Sequence, residues 1–365
     1  MNRIGLVGCG VISQAYARKL VALEGIELAA CADLERERAE ALAKEHGIPR
    51  VLETNELIAS DEVDVVLNLT IPAAHADVSA PAIEAGKSVY SEKPLATTLE
   101  QGRRLVAEAT ARGVRLGCAP DTFLGAGLQS CRALIDAGAI GDPVAATAFM
   151  LSPGPERWHP GPEIFYRRGA GPLFDIGPYY LTALVSLLGP IRRVSGSARI
   201  THGEREIKSE PLQGTMMQVE VPTHVSASLE FAGGPIATLV TSFDVQASRH
   251  RNIEIYGTEA TLCVPDPNTF GGPVQIRRLE DESWSDLPLT HANERQSRGR
   301  GLAEMLNAIE TGRAHRASGD LALHVLDGME QILEASRAGR QLELTTACER
   351  PEALAAGLAD DRFDP

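Results

Sequence analysis

The stretch Ile4-Gly5-Leu6-Val7-Gly8-Cys9-Gly10-Val11-Ile12-Ser13 decides the fold of the first third of the chain. A short apolar run ends in glycines and passes directly into a segment, Val11 to Leu23, in which Ala15, Leu20 and Leu23 recur with helical spacing. One glycine makes the tight turn, a second lets backbone N–H groups approach a pyrophosphate, and a small third residue, here Ser13, allows close packing of helix on strand. The helix start adds partial positive charge for the phosphates. Gly8, Gly10, Val11 and Ile12 are therefore expected to contact a dinucleotide. Asp33 closes the next apolar run 20 residues past Ser13, at the offset of a carboxylate that binds ribose hydroxyls. Such a carboxylate repels a 2′-phosphate, so NAD is the expected cofactor. NADP is the alternative, because Arg36 and Arg38 follow, although both alternate with Glu35, Glu37 and Glu40 as on a solvated helix face.

Outward from this turn, strand-like segments (Ile26 to Ala32, Val63 to Leu69, Ser88 to Ser91, Val114 to Cys118) alternate with helical ones (Glu35 to Glu45, about Ala73 to Ala85, and a helix capped by Thr98). Strands apolar on both faces and separated by helices predict a doubly wound parallel sheet, a Rossmann domain over residues 1–122. Beyond it the period changes. Val225-Ser226-Ala227-Ser228-Leu229-Glu230-Phe231 places an apolar residue at every second position, and Ala232-Gly233-Gly234-Pro235 turns the chain into Ile236 to Phe243. That alternation predicts an antiparallel sheet with one wet face. Helices are expected from Leu128 to Ala137, Leu173 to Leu188, Leu302 to Glu310 and Leu321 to Ala338, and a strand from Val144 to Met150. The fold class is thus α/β, with a second α/β domain over 123–345 and a loose acidic tail over 346–365.

The 365 residues carry 35 basic and 49 acidic side chains, a net charge of −14, which argues against nucleic acid or an anionic membrane as partner. No run reaches the roughly 18–20 apolar residues that cross a bilayer. No leader is read at Met1-Asn2-Arg3. The six cysteines are scattered, so neither zinc nor any other metal site nor a disulfide framework is expected, and a reducing cytoplasm fits best.

Ser91-Glu92-Lys93-Pro94 stands at the carboxyl end of a strand, where open α/β sheets bind ligands. Only five of the 35 basic residues are lysine, so one at that edge points to chemistry that arginine cannot do: a compact amine can exchange protons. Asp175 and Tyr179 are spaced i, i+4, and a helix from Leu173 puts them on one face. The Pro/Gly-rich loop Ser152 to Pro172 brings Trp158, His159, Phe165, Tyr166, Arg167 and Arg168, a mixture suited to stacking a sugar ring and bonding its hydroxyls.

With the glycine turn, Thr70-Ile71-Pro72-Ala73-Ala74-His75, Ser91-Glu92-Lys93-Pro94 and Gly169-Ala170-Gly171-Pro172-Leu173-Phe174-Asp175-Ile176-Gly177-Pro178-Tyr179-Tyr180 in order, the chain resembles the Gfo/Idh/MocA family from residue 3 to about 345. The resemblance implies a C-terminal domain on a large, mostly antiparallel sheet that is often an oligomer interface, hence a homodimer or homotetramer. It implies that Thr70, Pro72, His75, Glu92, Lys93 and Pro94 line the cofactor, with a cis bond before Pro94. It also implies that Lys93, Asp175 and Tyr179 are the catalytic residues; Trp158, His159 and Tyr166 of the aromatic loop are expected on the substrate from their own chemistry. At the position of Tyr179 the family usually carries His, so which group exchanges the proton, Lys93 or Tyr179, stays open. Near Asp121 the family often carries Asn or Arg, and an unusual contact is expected there. The implied activity is NAD-dependent hydride transfer to or from a secondary alcohol of a sugar, sugar derivative or cyclic polyol. The alternatives are a non-catalytic dinucleotide sensor and an NAD-retaining hydrolase or lyase.

Overall fold

The structure is a computed structural model describing residues 2–364. Its first sheet contains β1 (Asn2–Val7), β2 (Ile26–Ala32), β3 (Val65–Asn68), β4 (Ser88–Ser91) and β5 (Leu116–Cys118), all parallel, in the order β2-β1-β3-β4-β5. Helices α1 (Ser13–Leu20), α2 (Arg36–His46), α3 (Thr54–Ala59), α4 (His75–Glu84) and α5 (Leu99–Arg112) cover its faces. Every residue of β3 is buried, as a strand covered on both sides must be. The connection from β2 back across β1 to β3 creates the switch point of the sheet, and the crevice there lies beyond the carboxyl ends of β1 and β3. α3 had no clear periodicity in the sequence, being six residues long. It is set by a reciprocal cap between Glu53 and Glu56.

After α6 (Ala126–Asp136) comes β6 (Pro143–Leu151), then α7 (Gly171–Asp175), α8 (Gly177–Leu188), β7 (Ile191–Arg199) and a small hairpin of β8 (Glu204–Glu206) and β9 (Met216–Gln218). Strands β10 (His224–Phe231), β11 (Ile236–Ser242), β12 (Ile253–Gly257), β13 (Ala260–Val264), β14 (Val274–Arg278) and β15 (Ser285–Leu287) follow, then α9 (Arg300–Thr311), α10 (Gly319–Ala338) and β16 (Leu342–Glu343). The second sheet runs β15-β14-β13-β12-β6-β11-β10-β7-β16, and only the β6–β11 pair is parallel. Alternate residues of β10 are buried, the one-sided pattern that the sequence predicts.

Two expectations need correction. The helix from Leu173 to Leu188 is two helices broken at Ile176. Pro178 has no N–H to donate to the Phe174 carbonyl oxygen and its ring crowds that oxygen, so the helix cannot run through; Pro178 is instead accommodated in the first turn of α8. The tail is not loose. Leu354 is 5% exposed, its N–H donates to Gln129 at 2.8 Å, and His291 meets its carbonyl oxygen at 3.0 Å. Arg316 binds Asp364 at 2.6 Å, and Asp361 pairs with Lys19 of α1.

Candidate active site

The glycine turn leaves β1 as the pattern requires. Gly8 has φ +96°, and a Cβ there would lie 2.6 Å from the backbone of Leu69, so only glycine fits under the end of β3. At Gly10 a Cβ would meet nothing, and the bare backbone faces open space at the start of α1. Ser13 is buried, and its hydroxyl donates to the Gly10 carbonyl oxygen at 2.6 Å. Asp33 lies against this turn, accepting from Cys9 N at 2.7 Å and from Glu35 N at 2.8 Å. An ionised carboxylate retains further lone pairs for ribose hydroxyls. Arg36 pairs with Glu40 and Arg38 with Glu35 on the outer face of α2. The cradle therefore suits a dinucleotide without a 2′-phosphate, which Gly8, Gly10, the exposed Val11, Ile12 and Asp33 could hold.

The other two loops of the crevice are tied together from beneath. Asn68, fully buried, donates to the His75 carbonyl oxygen at 3.0 Å and accepts from the Thr70 hydroxyl at 2.7 Å. Pro72 opens an exposed single turn before α4. His75, expected on the cofactor, is instead fully buried. Its ring nitrogens face the carbonyl oxygens of Pro94, 2.6 Å away, and Thr70, 3.0 Å away. Burial pushes its pKa below the ordinary value, and the neutral ring has a single N–H, so it donates to one of these two oxygens and only packs against the other. Glu92 likewise points inward, accepting from Tyr16 Oη at 2.8 Å and from Lys93 N at 3.0 Å. The Lys93–Pro94 bond is cis.

Lys93 and Asp175 meet, although 82 residues separate them. Lys93 Nζ donates to Asp175 Oδ1 at 2.7 Å and to the Asp175 carbonyl oxygen at 2.5 Å. That carbonyl is available because α7 ends there, where last-turn oxygens have no helical partner. The side chains are 15% and 19% exposed, so the pair is open at one side. Burial works against the Lys93 charge, but Asp175, Tyr179 and Glu92 outweigh it and raise its pKa above the usual value. Lys93 Nζ is 5.4 Å from the Tyr179 ring centroid. Burial raises the Tyr179 pKa, with Lys93 and Arg298 opposing.

The sequence pattern missed Arg298 and Asn268. Arg298 Nη2 lies 3.4 Å from Tyr179 Oη and 2.7 Å from Asn268 Oδ1. Neither stands in a recognisable motif; only Gly299 and Gly301, which follow Arg298, hint at a constrained backbone. Asp121 has its unusual contact beneath them, accepting from Gly299 N at 2.8 Å and Gly301 N at 3.0 Å, and burial pushes its carboxyl up to about 6.

The aromatic loop is not brought to this pair. Tyr166, expected on the substrate, is fully buried in a separate cluster with Ile207, Met217, Val219 and Phe243 and donates to Glu156, because the hairpin folds over it. Trp158 (69% exposed) and His159 stack edge-on at 5.4 Å, with Phe165 beside them. No hydrogen bond or ring contact joins either to Lys93, Asp175 or Tyr179 among the described residues. Tyr180 is a core residue, bonded through its hydroxyl to the Phe149 carbonyl oxygen and Asn252.

Residues 2–119 match the model of the oxidoreductase family with an NAD-binding Rossmann fold, and residues 128–263 match the GFO/IDH/MocA C-terminal domain. The 1,5-anhydro-D-fructose reductase of Ensifer adhaerens is 30% identical over 355 residues, 95% of this chain and 99% of that protein. The chain belongs to the Gfo/Idh/MocA family. Inositol 2-dehydrogenase 3 of Saccharopolyspora erythraea is 37% identical over 162 residues, 43% of this chain and 47% of that one. A levoglucosan dehydrogenase in complex with NADH and L-sorbose shares the fold, with a TM-score of 0.81 at 19% identity over 95% of this chain and 99% of that one. This Gfo/Idh/MocA chain is an oxidoreductase whose N-terminal sheet is an NAD-binding Rossmann domain. No helix among its described residues is long and apolar enough to cross a membrane.

Proposed function

We propose that this oxidoreductase acts on a secondary alcohol, or the matching ketone, of a sugar, sugar derivative or cyclic polyol, at the cleft where Lys93, Asp175 and Tyr179 converge. The observation that carries the reading is the Lys93–Asp175 contact at 2.7 Å between the edge of the parallel sheet and the end of α7. The names of the relatives, a sugar reductase and an inositol dehydrogenase, support the substrate class.

Bound NAD supplies the hydride acceptor, held by the Gly8–Gly10 turn and Asp33. Lys93 spends two N–H groups on Asp175 and keeps a third for the substrate oxygen. Because its pKa is raised, it is an ammonium at neutral pH, a donor to a ketone in the reducing direction. In the oxidising direction it takes the hydroxyl proton as it releases one of its own to Asp175 Oδ1, so charge and proton count balance along the pair. Tyr179 keeps its proton at neutral pH and serves as a donor to the substrate rather than as the base. Trp158 and His159 lie farther out, where a longer substrate would reach.

We read residues 1–122 as the cofactor domain, 123–345 as the substrate domain and 346–365 as a tail bound across both. We also place the protein in the cytoplasm as a homodimer or homotetramer assembled through the open face of the large sheet, where Val144 and Ile236 are half exposed. A panel of sugars and inositols offered with NAD⁺ tests the activity by the absorbance of NADH. NADH formation with at least one member is expected. Silence throughout, with a melting temperature raised by NAD⁺, would establish a sensor instead.

A further inference from the structure

A half-buried guanidinium is costly unless an anion compensates it. Several arginines of the chain are compensated by carboxylates: Arg205 closes on Glu156 and Asp244, Arg316 on Glu304 and Asp364, Arg132 on Asp136. Arg298 and the buried Arg300 are not; Arg300 lies over the Phe363 ring, whereas Arg298 stands beside Tyr179. Its partners are Gln296 Oε1 at 2.9 Å, Asn268 Oδ1 at 2.7 Å and Tyr179 Oη at 3.4 Å, all neutral, and no carboxylate pairs with it among the described residues. Asp121 and Glu92 act on it only through space, because their oxygens are engaged by Gly299 and Gly301 in one case and by Tyr16 and Lys93 in the other.

The backbone around Arg298 is fixed. Gly299 has φ +103°, and the Asp121 carboxylate holds the N–H groups of Gly299 and Gly301. Arg298 is therefore set in place from below, with its guanidinium 6.0 Å from the centroid of the Tyr179 ring that Lys93 approaches at 5.4 Å. Two cations thus flank one ring, and Asp175 neutralises only Lys93. In a protein of net charge −14, which repels anions at long range, an unpaired cation at the reacting site is a local exception.

We infer that Arg298 receives a carboxylate of the substrate, so that the preferred substrates of the reaction proposed above are sugar acids, aldonates or uronates, rather than neutral sugars. The planar fork of arginine matches a carboxylate through two parallel N–H···O bonds, which a neutral hydroxyl cannot reproduce. The other anion that could come near is the cofactor pyrophosphate. It is expected at the Gly8–Gly10 turn, and Gly299 packs on Tyr16 and Leu20 of the helix behind that turn, so the KM for NAD in the Arg298→Gln variant decides between the two anions.

The inference rests on the proposed dehydrogenase reading and is tested with NAD-loaded protein and matched pairs: glucose with gluconate and glucuronate, galactose with galacturonate. The acid of at least one pair is expected to exceed its neutral partner in kcat/KM by about tenfold or more. Arg298→Gln should collapse that acid-to-neutral ratio by about tenfold to a hundredfold, and Arg298→Lys should restore part of it. The KM for NAD should move far less than the KM for the acid. Acids no better than neutral sugars, or a KM for NAD that rises with that of the acid, would overturn the assignment. If no pair yields NADH, the proposed activity fails and the inference is read from melting temperatures. Greater stabilisation by glucuronate than by glucose, lost in Arg298→Gln, supports it; equal stabilisation refutes it.

Discussion

Two clusters each combine a tyrosine, a cation and a carboxylate, and they behave oppositely. Around Tyr166 every donor atom has a partner: Arg205 binds Glu156, Asp244 and the carbonyl oxygens of Pro153 and Phe243, and the tyrosine hydroxyl binds Glu156. Around Tyr179 capacity is left over. Lys93 has a free N–H, Arg298 lacks a carboxylate, and the Tyr179 hydroxyl has only a long contact. The first cluster fastens the loop of residues 152–168 to the hairpin; the second is the one proposed above to meet the substrate. Residue types do not distinguish them. Unspent hydrogen-bonding capacity at a partly open surface does.

Matched removal of the two cations tests this most severely. Lys93→Met should lower turnover by about 10²–10⁴-fold while NAD binding, followed by cofactor fluorescence, survives. Near-normal turnover would remove Lys93 from the chemistry. Arg205→Ala should instead cost about 3–5 kcal/mol of stability in denaturant unfolding, because Glu156 and Asp244 are left without their partner, and turnover per folded molecule should hold. A reversal of the two phenotypes would dissolve the distinction.

Asp121, beneath the open cluster, sharpens the comparison through pH. Burial raises its carboxyl from 3.8 to about 6, so the folded state holds this proton more tightly than the unfolded chain does. Stability from this group is therefore present at low pH and falls as pH rises between those two values, by about 3 kcal/mol in all. Asp121→Asn, which can still accept from Gly299 and Gly301, should remove that slope from unfolding curves measured across the window. An unchanged slope would mean that the group is not protonated there.

The tyrosines give the smallest and finest contrast. Tyr166→Phe should cost about 1–3 kcal/mol, since a buried Glu156 loses a donor, with kcat unaffected. Tyr179→Phe should leave the melting temperature nearly unchanged and lower kcat. Equal kcat losses in both would argue that Tyr166 reaches the substrate after all.

The parallel sheet was legible because its signals are local. The Gly8–Gly10 turn, the continuous apolar run of β3 and the Thr98 cap each act within a few residues. Asn68 also left a trace, a polar residue ending an apolar strand. The break at Ile176 is hidden in the spacing, because helical periodicity continues across it and only Pro178 marks it. The tail looked loose because its composition is polar; its anchors, Gln129, Lys19 and Arg316, are scattered through the chain.

Sequence by itself determined the two-sheet α/β architecture, the NAD-binding turn and the identity of Lys93 and Asp175 as residues worth watching, because each depends on short-range periodicity or on backbone geometry that few residues permit. Only the tertiary structure decided which polar groups were left unspent. It buried Tyr166 and His75, joined Lys93 to Asp175, and brought Arg298 to Tyr179 across 119 positions. Hydrogen-bond satisfaction is a property of neighbours in space, and no reading along the chain can count it.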